Sequence, residues 1–416
     1  MAHLSPLLKQ ATPVIADRGQ GAVLWDEQGD RYLDFTAGIG VTSTGHAHPD
    51  VVRAATEQVA KIIHAQYTTV MHRPLLDLVD RMSEVLPTGL DSMFFVNSGS
   101  EAVEAALRLA RQATGRPNVI TFHGGFHGRT VAAASMTTSG TKFRSGFAPL
   151  MPGVAVAPFP HPTHYGWSQE EATTFALREL DYLLQTISSP QDTAAFLVEP
   201  VLGEGGYVPA SAEFLAGLRE RADRHGILLV LDEVQTGWGR TGRFWGHEHF
   251  GVTPDVLITA KGIASGFPLS GIAASEELMS RAWPGSQGGT YGANAVACAA
   301  ALATLDVMQR EDLVGNAAAR GQQLRGRLLA AADAHTAITD VRGLGLMLGA
   351  EFRTADGVPD GETAARAQRA AADHGLLLLT CGAWSQVVRF IPALVVTEEQ
   401  VDEAGDAWEK TLADVL

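Results

Sequence analysis

Cysteine is almost missing from this chain: Cys298 and Cys381 are the two such residues among 416. They stand far apart and form no CxxC pair, so the sequence predicts neither a disulfide framework nor a thiolate metal site, and fits a reducing compartment. No apolar run approaches the roughly 20 residues that cross a bilayer, and the opening MAHLSPLLKQATPVIADRG has no apolar core of signal-peptide length. Basic charge is short as well, with 31 Lys and Arg against 46 Asp and Glu and a formal net charge of −15. That balance argues against nucleic acid or an anionic membrane as the main partner. The chain has no internal repeat and no low-complexity tract. Gly38-Ile39-Gly40 and Gly343-Leu344-Gly345 do not complete a GxGxxG between a strand and a helix, which excludes that dinucleotide fingerprint. His123 and His127 are four apart, as on a helix face, but Gly124 and Gly125 break that helix and no third ligand is placed. The pairs at 46–48 and 247–249 fare no better, so no metal is expected. The protein is read as cytoplasmic, with small molecules as its partners.

What is present is a large apolar fraction, 46%, in a chain long enough for one large domain and a smaller one. Residues 22–35 (AVLWDEQGDRYLDF) predict a hairpin turning at Glu27-Gln28-Gly29, and residues 38–49 a glycine- and threonine-rich loop. Pro49 suits the first position of a helix that runs to Ile63, and a second helix is predicted up to Pro87. From about residue 90 to 280 strands and helices alternate: MFFV, SEAVEAALRLARQA, NVITF, AAFLVEP, EFLAGLRERADRH, ILLVLDE, VLITA and LSGIAA. Such alternation predicts an α/β fold, a mainly parallel sheet with helices on both faces and ligands at the strand ends. A long helix over 293–311 then leaves this domain. The rest mixes helices and strands, and its last helix opens at Thr397 with Gln400 three residues on, a capping box. The expected organisation is an N-terminal segment (1–47) packing with the small domain, a large domain (48–292), and a linker helix with a small α+β domain (293–416).

Two stretches carry the chemistry. Val256 to Thr259 lead as a buried strand towards Lys261, with Gly262 and Gly266 behind it. A lysine at the mouth of a buried strand is partly desolvated, which lowers its pKa and makes its amine nucleophilic. That suits a Schiff base with a carbonyl cofactor. Upstream, Ile227 to Leu231 form another apolar strand that ends in Asp232 and Glu233. Pyridoxal phosphate needs both features, a lysine for its aldehyde and a carboxylate to keep its pyridine nitrogen protonated. With this pair the sequence resembles the class III, fold-type I pyridoxal-phosphate aminotransferases, which include the 4-aminobutyrate, ornithine and acetylornithine aminotransferases. The resemblance extends over almost the whole chain.

The resemblance implies a mainly parallel, seven-stranded-type sheet flanked by helices, pyridoxal 5′-phosphate as cofactor, and a homodimer or dimer of dimers. Lys261 and Asp232 become the catalytic residues. Ser98-Gly99-Ser100-Glu101 reads by itself as a capped helix start; the resemblance assigns Gly99 and Ser100 to the cofactor phosphate. Phe126 of GGFHGRT and Val234 of DEVQ are assigned to the two faces of the pyridine ring, His127 to the same site, and Gln235 to the ring hydroxyl. Thr290 matches a threonine that reaches the phosphate of the neighbouring subunit's cofactor. Around it the pattern departs, with Gln287 where many members carry His and Ala295 where many carry Pro. Arg129, otherwise a plain solvated arginine, is assigned to a substrate carboxylate. Glu204 and Arg389 match a glutamate switch, the arginine taking the α-carboxylate of glutamate and the glutamate covering it when an ω-amino substrate binds. The plainer reading of those residues is an interdomain salt bridge, or an arginine at a solvated strand edge.

The resulting expectation is an enzyme that moves an amino group from an ω-amino or α-amino acid to a 2-oxo acid such as 2-oxoglutarate, most like 4-aminobutyrate aminotransferase. Acetylornithine or ornithine aminotransferase is the nearest alternative. A pyridoxal-phosphate racemase of the same fold is a second class, and a protein that holds the cofactor without turnover is a third.

Overall fold

The computed structural model describes residues 3–416. The predicted hairpin is present as β2 (Val23–Asp26) and β3 (Arg31–Asp34), with Val23 opposite Leu33, and β1 (Ala16–Gln20) pairs antiparallel along β2. Helix α1 (Pro49–Val59) starts on Pro49 as expected but stops short of Ile63, because the Gln58 amide donates to the Ile62 carbonyl at 2.9 Å and closes the last turn. Helix α2 (Arg73–Met82) follows.

The alternating region folds as one seven-stranded sheet. Its strands are β4 (Ser92–Val96), β5 (Asn118–Phe122), β6 (Val154–Ala157), β7 (Thr193–Val198), β10 (Leu228–Asp232), β11 (Val256–Thr259) and β12 (Ser270–Ala274). A short antiparallel pair, β8 (Val201–Leu202) and β9 (Val208–Pro209), lies between β7 and β10 in sequence. The sheet order is β4-β12-β11-β10-β7-β5-β6. Every neighbour pair is parallel except the two that β12 makes, with β11 and with β4. The expected mainly parallel sheet is therefore found. Two of its elements were not anticipated: the edge strand β6, and α4 (Gln169–Thr186), an 18-residue helix opened by a Ser168–Glu171 capping box.

Both faces are covered, which is why the strands read as near-continuous apolar runs. Side chains alternate across the sheet. Ile120, Phe196, Leu229 and Leu231 pack against Leu180 of α4 and against Phe214 and Leu218 of α5 (Ala212–His225). Val119, Leu197 and Val230 face the other way, onto Val103 and Leu107 of α3 (Gly99–Thr114). Each such fully buried side chain contributes about 1.5–3 kcal/mol.

Helices α6 (Ala295–Arg310) and α7 (Leu313–Ala334) lead to an antiparallel sheet of β13 (Ile338–Leu344), β14 (Met347–Phe352), β17 (Val387–Phe390) and β16 (Leu379–Cys381), in that order. The short β15 (Leu376–Leu377) instead runs parallel to β3, tying this part to the N-terminal strands. Helix α8 (Gly361–Asp373) and the capping-box helix α9 (Glu398–Val415) complete it. Among the described residues no helix is long and apolar enough to cross a membrane.

Candidate active site

Because the parallel strands share one direction, their carboxyl ends open on one edge, and a cavity of about 310 Å³ lies there. Every residue predicted to hold the cofactor within one chain lines it: Gly99, Ser100, Phe126, His127, Asp232, Val234, Gln235 and Lys261. Asp232 ends β10, only 3% exposed. Its Oδ2 lies 2.8 Å from His127 Nδ1, and its Oδ1 accepts from the Val234 N–H at 3.1 Å. The far nitrogen of His127 meets Thr121 Oγ1 at 3.2 Å. The carboxylate is thus fixed from two sides with one face to the cavity. Glu233, the next residue, is wholly buried and structural: it accepts from the Gly246 and His247 N–H groups at 2.9 and 2.7 Å.

Lys261 follows β11 with φ +47°, a left-handed conformation that costs a long side chain roughly 1–3 kcal/mol. Gly262 makes the turn possible, since a Cβ there would stand 2.6 Å from Ser43 Oγ and 2.7 Å from Trp238. Burial pushes the Lys261 amine pKa below its usual value, and the carboxylate of Glu204 opposes that shift in part. The result favours a free, nucleophilic amine.

Helix α3 starts at the cavity wall. Ser98 caps it and Glu101 reaches back to the Ser98 N–H at 2.8 Å. The N–H groups of Gly99 and Ser100 find no acceptor among the described residues, as first-turn donors do unless an anion or water meets them. Gly99 permits close packing, because a Cβ there would sit 3.3 Å from Val234 Cγ1. Gly128 (φ +130°) does the same for the loop after β5, where a side chain would overlap Ser100 Oγ. Ser100 Oγ accepts from the Arg129 N–H at 3.1 Å.

Glu199, at the end of β7, was not singled out from the sequence. It lines the cavity and accepts the Phe126 N–H at 2.8 Å and the Gly203 N–H at 2.9 Å. Burial, with Asp232 nearby, pushes its carboxyl up to about 7 against the opposing pull of His127 and the two N–H groups. The rule that found Asp232, a carboxylate ending a buried strand, applied equally to the VEP that follows AAFL.

Glu204 and Arg389 meet at 2.5 Å, Oε1 to Nη1, although 185 residues apart. Arg389 projects from β17 and is 4% exposed. Burial works against its charge, but Glu204 outweighs that and raises its pKa. Likewise burial would raise the Glu204 carboxyl, and Arg389 holds it below its usual range instead. The charges of both act on the Lys261 amine, although neither residue lines the cavity itself. Arg129 is exposed, its guanidinium 4.8 Å over the Phe143 ring, and Phe143 in turn meets Phe126 edge-on at 5.0 Å. Thr290 is exposed and does not line the cavity of its own chain. Among the described residues no group of three or more His, Cys, Asp or Glu could hold a metal ion; His46 pairs with Asp34 and His247 with Glu233.

The donor set fits pyridoxal phosphate. Free N–H groups at a helix N-terminus suit a phosphate. The buried, unpartnered Gln235 Oε1 suits a ring hydroxyl. Asp232 suits a protonated pyridine nitrogen, and Lys261 an aldehyde. Fold and site together define a pyridoxal-phosphate-dependent enzyme.

Comparison with known proteins narrows the class. The sequence profile of the family described as Aminotransferase class-III matches residues 7–412. The 4-aminobutyrate aminotransferase GabT of Escherichia coli (strain K12) is 41% identical over 396 residues, 94% of this chain and 92% of its own. An alanine/serine racemase of Pyrococcus horikoshii is 37% identical over 97% of this chain and 86% of its own. A PLP-bound amine transaminase structure from an uncultivated Pseudomonas species superposes with a TM-score of 0.93 at 28% identity, covering 100% of this chain and 99% of that one. This chain belongs to the class-III aminotransferase family.

Proposed function

We propose that the enzyme transfers an amino group from an ω-amino acid of the 4-aminobutyrate type to 2-oxoglutarate, using one pocket for both partners. The observation that carries this reading is the buried Glu204–Arg389 pair, whose charges act on the Lys261 amine. A pocket that receives glutamate needs an arginine for the α-carboxylate. The same arginine left bare beside an apolar ω-amino chain would carry a desolvation cost, and a carboxylate able to cover it removes that cost. Arg129, exposed near Phe126, is suited to the carboxylate common to both substrates.

Pyridoxal phosphate supplies the electron sink when bound. Gly99 and Ser100 would hold its phosphate by N–H donation, and Phe126 and Val234 would flank its ring. Gln235 would accept from the ring hydroxyl through its unpartnered Oε1, and Asp232, oriented by His127, would keep the ring nitrogen protonated. Lys261 would attach it covalently and then carry a proton between the reacting carbon of the substrate and the cofactor. We read the assembly as a homodimer, with Thr290 serving the partner's phosphate. Its exposure, beside exposed Trp283 and Tyr291, supports this. Activity that falls on dilution in step with dissociation is expected, and full activity in a monomer would exclude the shared site.

The E. coli relative's name supports an ω-amino donor; the Pyrococcus relative keeps racemisation as a second reading. Acetylornithine and ornithine remain alternative donors. The deciding experiment is a panel of 4-aminobutyrate, acetylornithine, ornithine, glutamate and alanine with 2-oxoglutarate or pyruvate. Amine should appear on the 2-oxo acid, with 4-aminobutyrate as the best ω-donor. Retention of the amine with inversion at the α-carbon would establish the racemase instead.

A further inference from the structure

Three residues beyond Glu204, the same loop buries a tyrosine whose hydroxyl its packing does not explain. Tyr207 is fully buried, at φ +58°, a backbone conformation that a bulky residue adopts only under constraint. Its ring belongs to a small apolar cluster with Val201, Met347, Cys381, Val387 and Ile391. A phenylalanine would fill that place equally well, yet a hydroxyl is buried there with no hydrogen-bond partner, an arrangement that is costly unless a partner exists in another state.

The geometry says which partner that is. Gly349 of β14 stands directly opposite Arg389 of β17 in the antiparallel register, so side chains at the two positions leave the sheet on the same face. A Cβ on Gly349 would stand 2.7 Å from Val387 Cγ1 and come into contact with Tyr207, 3.4 Å from its Cβ and 3.8 Å from its Cδ2. The absent side chain leaves room for Tyr207 over Gly349, on the face of the sheet from which Arg389 projects. Arg389 uses Nη1 on Glu204 and leaves its buried Nε without a partner. The guanidinium of Arg389 is the strongest charge acting on the Tyr207 phenol, and the buried Arg240 acts on it too. Arg240 is anchored elsewhere, its Nη1 donating to the Leu346 and Pro392 carbonyls at 3.0 and 2.5 Å, although its buried Nη2 also has no partner.

We propose that Tyr207 is a positioning residue for Arg389, its hydroxyl accepting a hydrogen bond from Nε when Glu204 withdraws and a substrate α-carboxylate takes its place at Nη1. The proposal rests on the switch reading of Glu204 and Arg389 given above. While Glu204 is in place, it anchors the guanidinium. Once it leaves, the incoming carboxylate pulls on a side chain that nothing else orients, and the tyrosine hydroxyl supplies the second fixed point. The two orphaned atoms, Tyr207 Oη and Arg389 Nε, would satisfy each other in that state alone. Tyr207 is thereby a determinant of specificity for α-amino substrates.

The test is Tyr207→Phe in the holoenzyme, which keeps the ring and removes the hydroxyl. Single-turnover half-reactions with glutamate and with 4-aminobutyrate are followed separately, giving an apparent dissociation constant and a limiting rate for each. For glutamate the dissociation constant should rise about tenfold, the worth of one hydrogen bond to a charged group, with the limiting rate kept within about twofold. Both parameters for 4-aminobutyrate should stay within about twofold. Thermal unfolding of the variant should be unchanged or shifted upward, since an unpartnered buried hydroxyl has gone. Equal weakening of both substrates, no weakening of glutamate, or a lowered unfolding temperature would each overturn the proposal. Glu204→Gln run beside it separates the two ideas. If that variant fails to distinguish the half-reactions, the switch itself falls. If it distinguishes them and Tyr207→Phe does not, only the role of Tyr207 falls.

Discussion

Replacing Glu204 with Gln keeps the shape of the side chain and removes its charge, leaving Arg389 buried and charged. The contact of 2.5 Å between Oε1 and Nη1 puts the two charge centres about 4 Å apart, worth about 4 kcal/mol at an effective dielectric of ~20. Part of this is lost to the water-filled side of the pair, since the Glu204 side chain is 17% exposed against 5% for Arg389. The remaining hydrogen bond from Gln returns a little more, so a net loss of about 3 kcal/mol is expected. The sign depends on the substrate. With 4-aminobutyrate the pair must exist while the reaction proceeds, so the whole loss appears and the rate falls roughly a hundredfold. With glutamate the substrate carboxylate replaces Glu204, so its charge is dispensable and the rate changes by less than about threefold. Rapid-mixing absorbance measurements of each half-reaction, one substrate at a time, give both numbers. A parallel fall in both would refute the reasoning and reduce the pair to a structural salt bridge.

Lys261→Ala should keep cofactor affinity through the α3 terminus and Asp232 but lose the covalent link and all turnover, as read from the absorbance of the denatured and native protein. Turnover near the wild-type level would remove Lys261 from the mechanism. Asp232→Asn retains the His127 contact in shape but not in charge, and kcat should drop by two or more orders of magnitude, roughly 3 kcal/mol of barrier; a value within twofold would make the carboxylate structural. Glu199→Gln must turn a donor towards either the Phe126 or the Gly203 N–H, which costs about 1–3 kcal/mol of folding free energy and should disturb both loops. Denaturant unfolding and kcat/KM would check this, and an unchanged protein would contradict it. The Glu204 carboxyl is held below its ordinary value of 4.5, so its pairing stabilises the fold fully above that pH and less as pH falls through the folded-state pKa. The stability gap between wild type and Glu204→Gln should therefore narrow between pH 7 and the region below 4.5; an equal gap at both would show that the charge is not what the pair contributes.

The sheet was legible wherever strands were long and apolar, as in Ile227–Asp232 and Val256–Thr259, because burial on both faces writes a continuous apolar run. The edge strand β6 escaped because it is four residues long between Gly153 and Pro158, and its outer side has no neighbour to demand more. Helix α4 carried readable signals, a Ser168–Glu171 capping box and Ala172, Ala176 and Leu180 at helical spacing, that the alternation of strands overshadowed. At the site, residues set by strand ends and glycine turns were predictable, since local chain chemistry fixes them. Which of two strand-end glutamates lines the cavity, and that Tyr207 packs over Gly349, depend on contacts between segments far apart in sequence. No local pattern encodes those.

The lone reversed strand, β12, has a practical consequence for anyone rebuilding this enzyme. Since the other six strands run one way, the candidate site gathers at one rim of the sheet, and the opposite rim carries the turns that lead into the strands. Two of these, at Gly89 and Gly115, have φ of +92° and +69° and open space around them. Extra chain grafted at such turns, a purification tag, a fluorescent reporter or new termini from circular permutation, would sit across the full length of the strands from Lys261. The molecule thus offers a working rim and a rim for attachments.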